Sequence, residues 1–362
     1  MEENKYQVID PENEEYKLTA KDLKKEKRKK RRGLKILLAI VLIFAILVGG
    51  AGVYINSYLS KLHYGDSLGD VDPSLDKDES LSFDNQSAAD EDLRSRLADN
   101  VLWYDDRIYN ILLVGVDYGD QGSTVYLPRS DSMILLSINS ITNTINMVSI
   151  SRAAYVAIPG HGNRRLNVAH AYGGAKLLVE TIEQNYKIRI DKYVTVDFSG
   201  FQQIIDTLGG VTVDLTAEEA SIIIGNEREG SYTLSGEKAL AYSRLRSIDS
   251  DRMRTGRQRT VLNAIADKLR QSSVSTMIDL MDAVLPLVTT NFSKTELISQ
   301  ATKATKYLSM NMKEDIIPHV PHKLSLRDGA EVLILNWEEE DKYIHDLLYP
   351  GIIPQSAEKT TK

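Results

Sequence analysis

One stretch near the N-terminus constrains this chain more than any other. Residues Ile36–Ile55 read ILLAIVLIFAILVGGAGVYI, 20 residues without a charge. As a helix rising about 1.5 Å per residue they span about 30 Å, the hydrocarbon thickness of a bilayer. Ahead of them, residues 21–35 hold ten basic and two acidic side chains. Such a cluster is retained on the cytoplasmic side. The pattern therefore predicts a single-pass anchor in the cell membrane, with a cytoplasmic N-terminus and the rest of the chain outside. A cleaved signal peptide is the competing expectation, with Gly49–Gly52 as the small residues near a cleavage point. The long apolar run and the 35 residues before it oppose that reading.

Charge divides along the same line. Residues 1–35 hold 12 Lys+Arg and 8 Asp+Glu; the remainder holds 32 and 43. A tail of net +4 suits anionic inner-leaflet lipids, whereas the outer part is net −11. There is no cysteine in the 362 residues. This excludes disulfides, thiolate metal sites, a cysteine nucleophile and a lipoprotein anchor. An exported domain without cysteine points to a Gram-positive bacterium. The expected organisation is a basic cytoplasmic tail (1–35), a transmembrane helix (36–55), an extracellular linker (56–106), a folded domain (107–350) and a C-terminal tail (351–362).

Within the outer part, the acidic, polar stretch from 57 to about 106 reads as linker, with one helix around Leu93–Trp103. NILLVGVD (110–117), SMILLSIN (132–139) and TINMVSIS (144–151) read as strands. LNVAHAYGGAKLLVETIEQNY (166–186) has helical spacing, interrupted at Gly173-Gly174. A strand at 193–198, a glycine-closed helix at 201–210, a strand at 211–215 and a helix at 234–246 with Ser235 as N-cap follow. Helices are expected at 255–271, about 275–288 and 294–308, then a strand near 333–336 and a helix at 338–348. Strands alternating with helices predict an α/β domain whose sheet is covered on both faces.

Arginines cluster in this acidic domain. SRLRSIDSDRMRTGRQR (243–259) carries Arg244, Arg246, Arg252, Arg254, Arg257 and Arg259. A solvated helix face is one explanation. A phosphate site is the other, because guanidinium binds phosphoryl oxygens bidentately and stays charged at any working pH. Far away in sequence, Asp117 ends the first strand, Arg129 and Asp131 open the second, and Arg152 follows the third. Two strand-edge carboxylates with arginines suit a divalent cation and a diphosphate together, since Mg2+ takes one or two carboxylates plus water and phosphate oxygens. Any one Asp alone is more often a turn or cap residue.

These stretches, together with VSISRAAYVAIPG (148–160), LNVAHAYGG (166–174), VDFSGFQQIIDTLGGVTVDL (196–215) and LSGEKALAYSRLR (234–246), resemble the LytR–CpsA–Psr (LCP) family of Gram-positive cell-envelope proteins. The likeness is dense over about 110–260. It implies an αβα sandwich with an apolar tunnel for a polyprenyl chain. It implies a phosphotransferase that moves teichoic acid or capsular polysaccharide from an undecaprenyl-diphosphate carrier to peptidoglycan, with Mg2+ or Mn2+. It puts Asp117 and Asp131 at the metal, Arg129, Arg152, Arg244 and Arg246 on the diphosphate, and Gln258 at the head group, with Arg254 as a further phosphate contact.

The sequence departs from the family at Ser151-Arg152-Ala153, where an Asp usually follows the arginine. If that carboxylate serves as base, another must replace it, and Asp249 or Asp251 are the candidates. His170 reads as packing and, with no HExxH, zinc is not expected. Helices 255–271 and 275–288 fit a lipid tunnel or ordinary core equally. Three other functions compete: a pyrophosphatase using water as acceptor, a non-catalytic lipid–glycan binder, and an envelope-linked transcription regulator. The regulator would need the 35-residue tail to bind DNA, and that tail is too short for a core. No nucleic-acid partner is expected.

Overall fold

Strand periodicity sorts the core into two halves. Along Ile108–Asp117, Leu112, Val114 and Val116 are buried on one side, while Leu113 and Gly115 face the other and are only half-buried. A period-2 strand with apolar residues on both faces needs cover on both. The computed structural model supplies it. It describes residues 86–98, 101–118, 128–271, 285–293, 310–325, 331–353 and 355–358, with short pieces at 7–8, 16–17, 63–64 and between 295 and 307.

The domain starts with α1 (Gln86–Ala98) and β1 (Val101–Tyr104). A meander follows: β2 (Ile108–Asp117), β3 (Arg129–Asn139) and β4 (Thr144–Ile150), then the hairpin β5 (Tyr155–Ile158) and β6 (Gly162–Arg165). Next come α2 (Val168–Tyr186), β7 (Lys192–Asp197), α3 (Phe198–Thr207), β8 (Val211–Leu215), α4 (Ala217–Ile224), β9 (Gly230–Leu234), α5 (Gly236–Arg244) and α6 (Asp251–Gln271). A 3-10 turn (Leu285–Leu287) leads to β10 (Val288–Thr290), β11 (Asn311–Ile317), β12 (His322–Ser325), β13 (Glu331–Ile334), α7 (Trp337–Leu348) and β14 (Gln355–Glu358).

The central sheet has the order β11-β4-β3-β2-β7-β10, with the two-residue strand His63–Tyr64 at its edge. It is mixed: β2-β3-β4 are antiparallel, whereas β7 runs parallel to β2 and β11 parallel to β4. One face packs α2, the β5–β6 hairpin, α1 and α7 around Leu112, Val114, Leu135, Leu178 and Ile182. The other carries α3, α5, α6 and the β8–β9 hairpin, with their own cluster around Ile205, Val213, Leu234 and Val261. The expected two-faced cover is present, on a sheet more antiparallel than strand–helix alternation suggested.

Local signals explain most boundaries. Ser235 caps α5 as expected, accepting from the Lys238 N–H. Gly174, at φ 60 and ψ −159, breaks α2 in a region only glycine enters freely. Other boundaries moved. The expected helix at 93–103 is α1, ending at Ala98, and Trp103 instead lies in β1. There its N–H donates to Lys187 O at 2.8 Å, and β1 also pairs with β14. Leu93 is 1% exposed in the core. Elements of the fold thus lie inside the stretches read as linker (56–106) and tail (351–362). Residues Ile36–Ile55 and nearly all of the basic tail fall outside the described residues, as does most of the helix expected at 275–288; residue 288 itself is in β10. Among the described residues no helix is long and apolar enough to cross a membrane.

Candidate active site

The strand ends that converge at one edge of the sheet bring together residues 120 positions apart. Asp117 closes β2 and lies in register opposite Arg129, the first residue of β3. The pairing shifts between Gly115 and Val116: Gly115 faces Ser132, Val116 faces Ser130, and Asp131 is the extra residue. This β-bulge changes which way side chains point. Ser130 is fully buried toward Met133, while the consecutive Asp131 and Ser132 both face the same cavity. Without the bulge, strand alternation would send one of them into the core.

That cavity, of about 190 Å³, lies between the sheet and helices α3, α5 and α6. Its inner wall is apolar: Leu113, Val194 and Ile134 from the sheet, Phe201 and Ile204 from α3, Leu262 from α6. Its mouth is polar: Asp131, Ser132, Asp197, Ser243, Arg244, Arg254 and Gln258. Gly115 lies in the wall, and a Cβ there would come within 3.1 Å of the Ser132 Cβ, so the bare backbone relieves crowding between the two strands.

Arginines ring the two carboxylates. Arg152 Nη1 donates to Asp131 Oδ1 at 2.8 Å, and Arg246 Nη2 lies 3.5 Å from Asp131 Oδ2. Arg244 Nη2 reaches Asp117 Oδ2 at 3.2 Å while its guanidinium rests 4.5 Å above the Phe198 ring. Arg254 is 1% exposed and donates through Nη1 to the Asp131 carbonyl at 3.0 Å. Burial opposes ionisation of Asp131, yet the charges of Arg152, Arg254 and Arg246 outweigh it and hold its carboxyl below the usual range. Five guanidinium groups (Arg129, Arg152, Arg244, Arg246 and Arg254) against three carboxylates (Asp117, Asp131 and Asp197) leave this edge positive within an acidic domain. Such a mouth favours a multiply charged anion.

Asp117 and Asp131 are the donors a Mg2+ ion takes from a protein when phosphate oxygens and water complete its shell. They stand on adjacent strands at one mouth, so the residues present fit such an ion. Among the described residues no group of three His, Cys, Asp or Glu side chains forms an all-protein metal cage.

Seven of the residues expected here, Asp117, Asp131, Arg129, Arg152, Arg244, Arg246 and Arg254, gather at this edge, and Gln258 lines the cavity. Asp249 does not. Arg257, 4% exposed, clamps its carboxylate through two bonds of 2.6 and 2.7 Å. That contact holds the Asp249 carboxyl below its ordinary value, which makes it a poor proton acceptor. Asp251 opens α6, and its side chain lies outside the described residues. Ala153 and Ala154 are buried against Leu333, whose N–H donates to Ala153 O at 2.9 Å, so no carboxylate stands after Arg152. Of the remaining arginines in the 243–259 cluster, Arg257 is an internal tie and Arg259 bonds Ser149 and Glu314 on the sheet. His170 is buried with Nδ1 3.0 Å from Pro128 O, a packing role as expected. Sequence reasoning missed Asp197, Phe198, Ser132 and Ser243; the VDF, SDS and SRLR stretches held them, without a periodicity that marks a pocket.

An apolar cavity opening onto arginines and carboxylates has the chemistry to hold an amphiphile by its tail and its anionic head together. The chain belongs to the LytR_cpsA_psr family, whose model it matches over residues 75–346. It is 31% identical over 274 residues to the polyisoprenyl-teichoic acid–peptidoglycan teichoic acid transferase TagT of Bacillus subtilis (strain 168), covering 72% of this chain and 78% of that one. It is also similar to the solved structure of TagT bound to LIIa-WTA, with TM-score 0.53 and 31% identity over 68% of this chain and 93% of the other. A structure of the same protein with bound octaprenyl pyrophosphate lipid superposes with TM-score 0.50 at 28% identity, covering 68% of this chain and 92% of the other.

Proposed function

We propose that this chain is a membrane-anchored phosphotransferase. It moves an anionic glycopolymer of the teichoic acid class from an undecaprenyl-diphosphate carrier to peptidoglycan on the outer side of the cell membrane. The observation that carries this reading is the continuity of the cavity: one apolar groove ends at one cationic mouth. A polyprenyl chain suits the Leu113, Val194, Phe201 and Leu262 walls, and its diphosphate suits the arginines. The names of the relatives, and a related structure holding a polyprenyl pyrophosphate, support the same assignment.

The side chains divide the work by chemistry. Arg152, Arg244 and Arg246 exchange their carboxylate partners for phosphate oxygens and stabilise the negative charge that builds during transfer. Phe198 keeps Arg244 over the mouth through its ring face. Arg254, fixed by the Asp131 carbonyl, supplies buried positive charge beneath the phosphates. A Mg2+ or Mn2+ ion held by Asp117 and Asp131 would supply further charge neutralisation on the diphosphate.

The test uses the full-length chain in detergent with a synthetic polyprenyl-diphosphate-linked saccharide, a peptidoglycan oligomer and Mg2+. The expected product is a glycan–phosphate–peptidoglycan conjugate by mass spectrometry, absent from Arg152→Ala. Release of a phosphosaccharide without coupling would replace the transferase with a pyrophosphatase. Tight lipid binding without turnover would leave a carrier-binding protein.

A further inference from the structure

Transfer to a hydroxyl needs a group that takes the hydroxyl proton, and the carboxylates at the mouth are not equivalent in this respect. Asp117 and Asp131 are bonded to arginines, and a metal would hold them further. Asp249 is clamped by Arg257. Asp197 differs. It ends β7, which lies on the opposite side of β2 from β3, and it lines the same cavity as Asp131, Arg244 and Arg254. Its register partner is Val116, the neighbour of Asp117. It caps α3, with Oδ1 accepting the Gly200 N–H at 2.6 Å. Among the described residues no cation pairs with it, and the half-buried residue lines the cavity with Oδ1 alone held by the backbone. Two strand spacings separate β7 from β3, about 10 Å. A phosphoryl group and an incoming oxygen fit between carboxylates so placed.

We propose that Asp197 is the general base of the transfer step, in the role that Ala153 leaves unfilled; this rests on the transferase reading above. The acceptor hydroxyl gives its proton to Asp197 Oδ2 as its oxygen bonds to the glycan-bearing phosphorus. The bond from that phosphorus to the bridging oxygen breaks, and polyprenyl phosphate leaves with the electron pair, its charge met by the mouth arginines. The N-cap geometry fixes the carboxylate's aim, because the Gly200 N–H holds Oδ1 and leaves Oδ2 without a backbone partner.

Asparagine and serine cap a helix almost as well as aspartate but cannot accept this proton at neutral pH. The experiment compares wild type, Asp197→Asn and Asp197→Ser, full-length and with Mg2+, for coupled-product rate across pH 5–9 and for binding of a fluorescent polyprenyl diphosphate. The expected result is a rate lower by about 10²–10⁴-fold in both variants, loss of the acid limb seen in wild type, and lipid affinity within about twofold of wild type. Either variant turning over within threefold of wild type would overturn the assignment, as would weakened lipid binding in step with the lost rate. An inactive wild type would instead refute the transferase reading itself.

Discussion

Replacing Arg254 with methionine tests whether the buried cation at the base of the mouth is there for the ligand or for the fold. The side chain is 1% exposed, so methionine keeps most of the packed stem while deleting the charge. Two effects follow from the geometry. The Asp131 carbonyl loses its donor at 3.0 Å, which costs about 1–3 kcal/mol of stability for an unsatisfied buried acceptor. A diphosphate in the mouth loses one charged partner, about 1.5–3 kcal/mol, or roughly 10- to 150-fold in affinity. Asp131 also loses one of the three cations that hold its carboxyl down, although Arg152 remains the strongest of them. Urea titration measures the first effect. The second is read from fluorescence binding of a polyprenyl diphosphate beside an uncharged polyprenol of the same length. The expected outcome is a selective loss: diphosphate binding weakens while polyprenol binding holds. Equal loss for both would mean that the cavity collapsed, and unchanged diphosphate binding would mean that Arg254 does not face the ligand; either result defeats the reasoning.

Other consequences can be measured directly. Asp249→Asn should lower stability at pH 7 without affecting lipid binding. Because the folded carboxyl titrates below its unfolded value, that stabilisation is present above the unfolded value and fades as pH falls through the folded one. Urea midpoints of mutant and wild type should therefore converge at low pH; a constant gap would contradict the Arg257 tie. Glu340, buried beneath the His319 N–H, is pushed by burial from 4.5 up to about 7. A raised value gives stability at low pH that is lost as pH rises through 7, by up to about 3 kcal/mol. Glu340→Gln should thus raise the denaturation midpoint at pH 8.5 and leave it nearly unchanged at pH 4; the reverse ordering would rule out burial as the cause. Removing divalent cations with EDTA should depress transfer in wild type. A rate indifferent to EDTA and to Asp117→Asn would eliminate the metal from the proposed chemistry.

Much of this arrangement was legible in the chain itself. Asp117, Asp131, Arg152, Arg244 and Arg246 are charged residues bordering apolar strands or following a capped helix, and a charge at such a border is easy to notice. The strands from 108 to 150 and α3, α5 and α6 followed from periodicity and from caps such as Ser235. What stayed hidden depended on contacts between distant segments. Arg257 and Arg254 sit three residues apart on one helix, yet one ties Asp249 and Glu219 while the other reaches Asp131. No spacing rule separates them, because the partner, not the position, assigns the role. Asp249 looked like a base because it was acidic and close in sequence to the arginines, and it is neutralised for the same reason. The β5–β6 hairpin, α4 and β9 escaped notice because elements of four to eight residues are too short to show a period.

The bulge at Asp131 has a consequence for how such a protein varies. A strand is a two-beat pattern, and one inserted residue shifts the beat for everything on one side of it. From Met133 onward β3 keeps the cadence of core and apolar cavity wall; up to Ser130 it keeps the cadence of the charged edge. The two stretches are therefore uncoupled in phase. Substitutions that resize the apolar groove leave the aim of the carboxylate untouched, and changes at the edge leave the groove intact. Deleting a single residue between 130 and 132 would do what no point substitution can: it would restore unbroken alternation and turn every side chain of one half onto the wrong face.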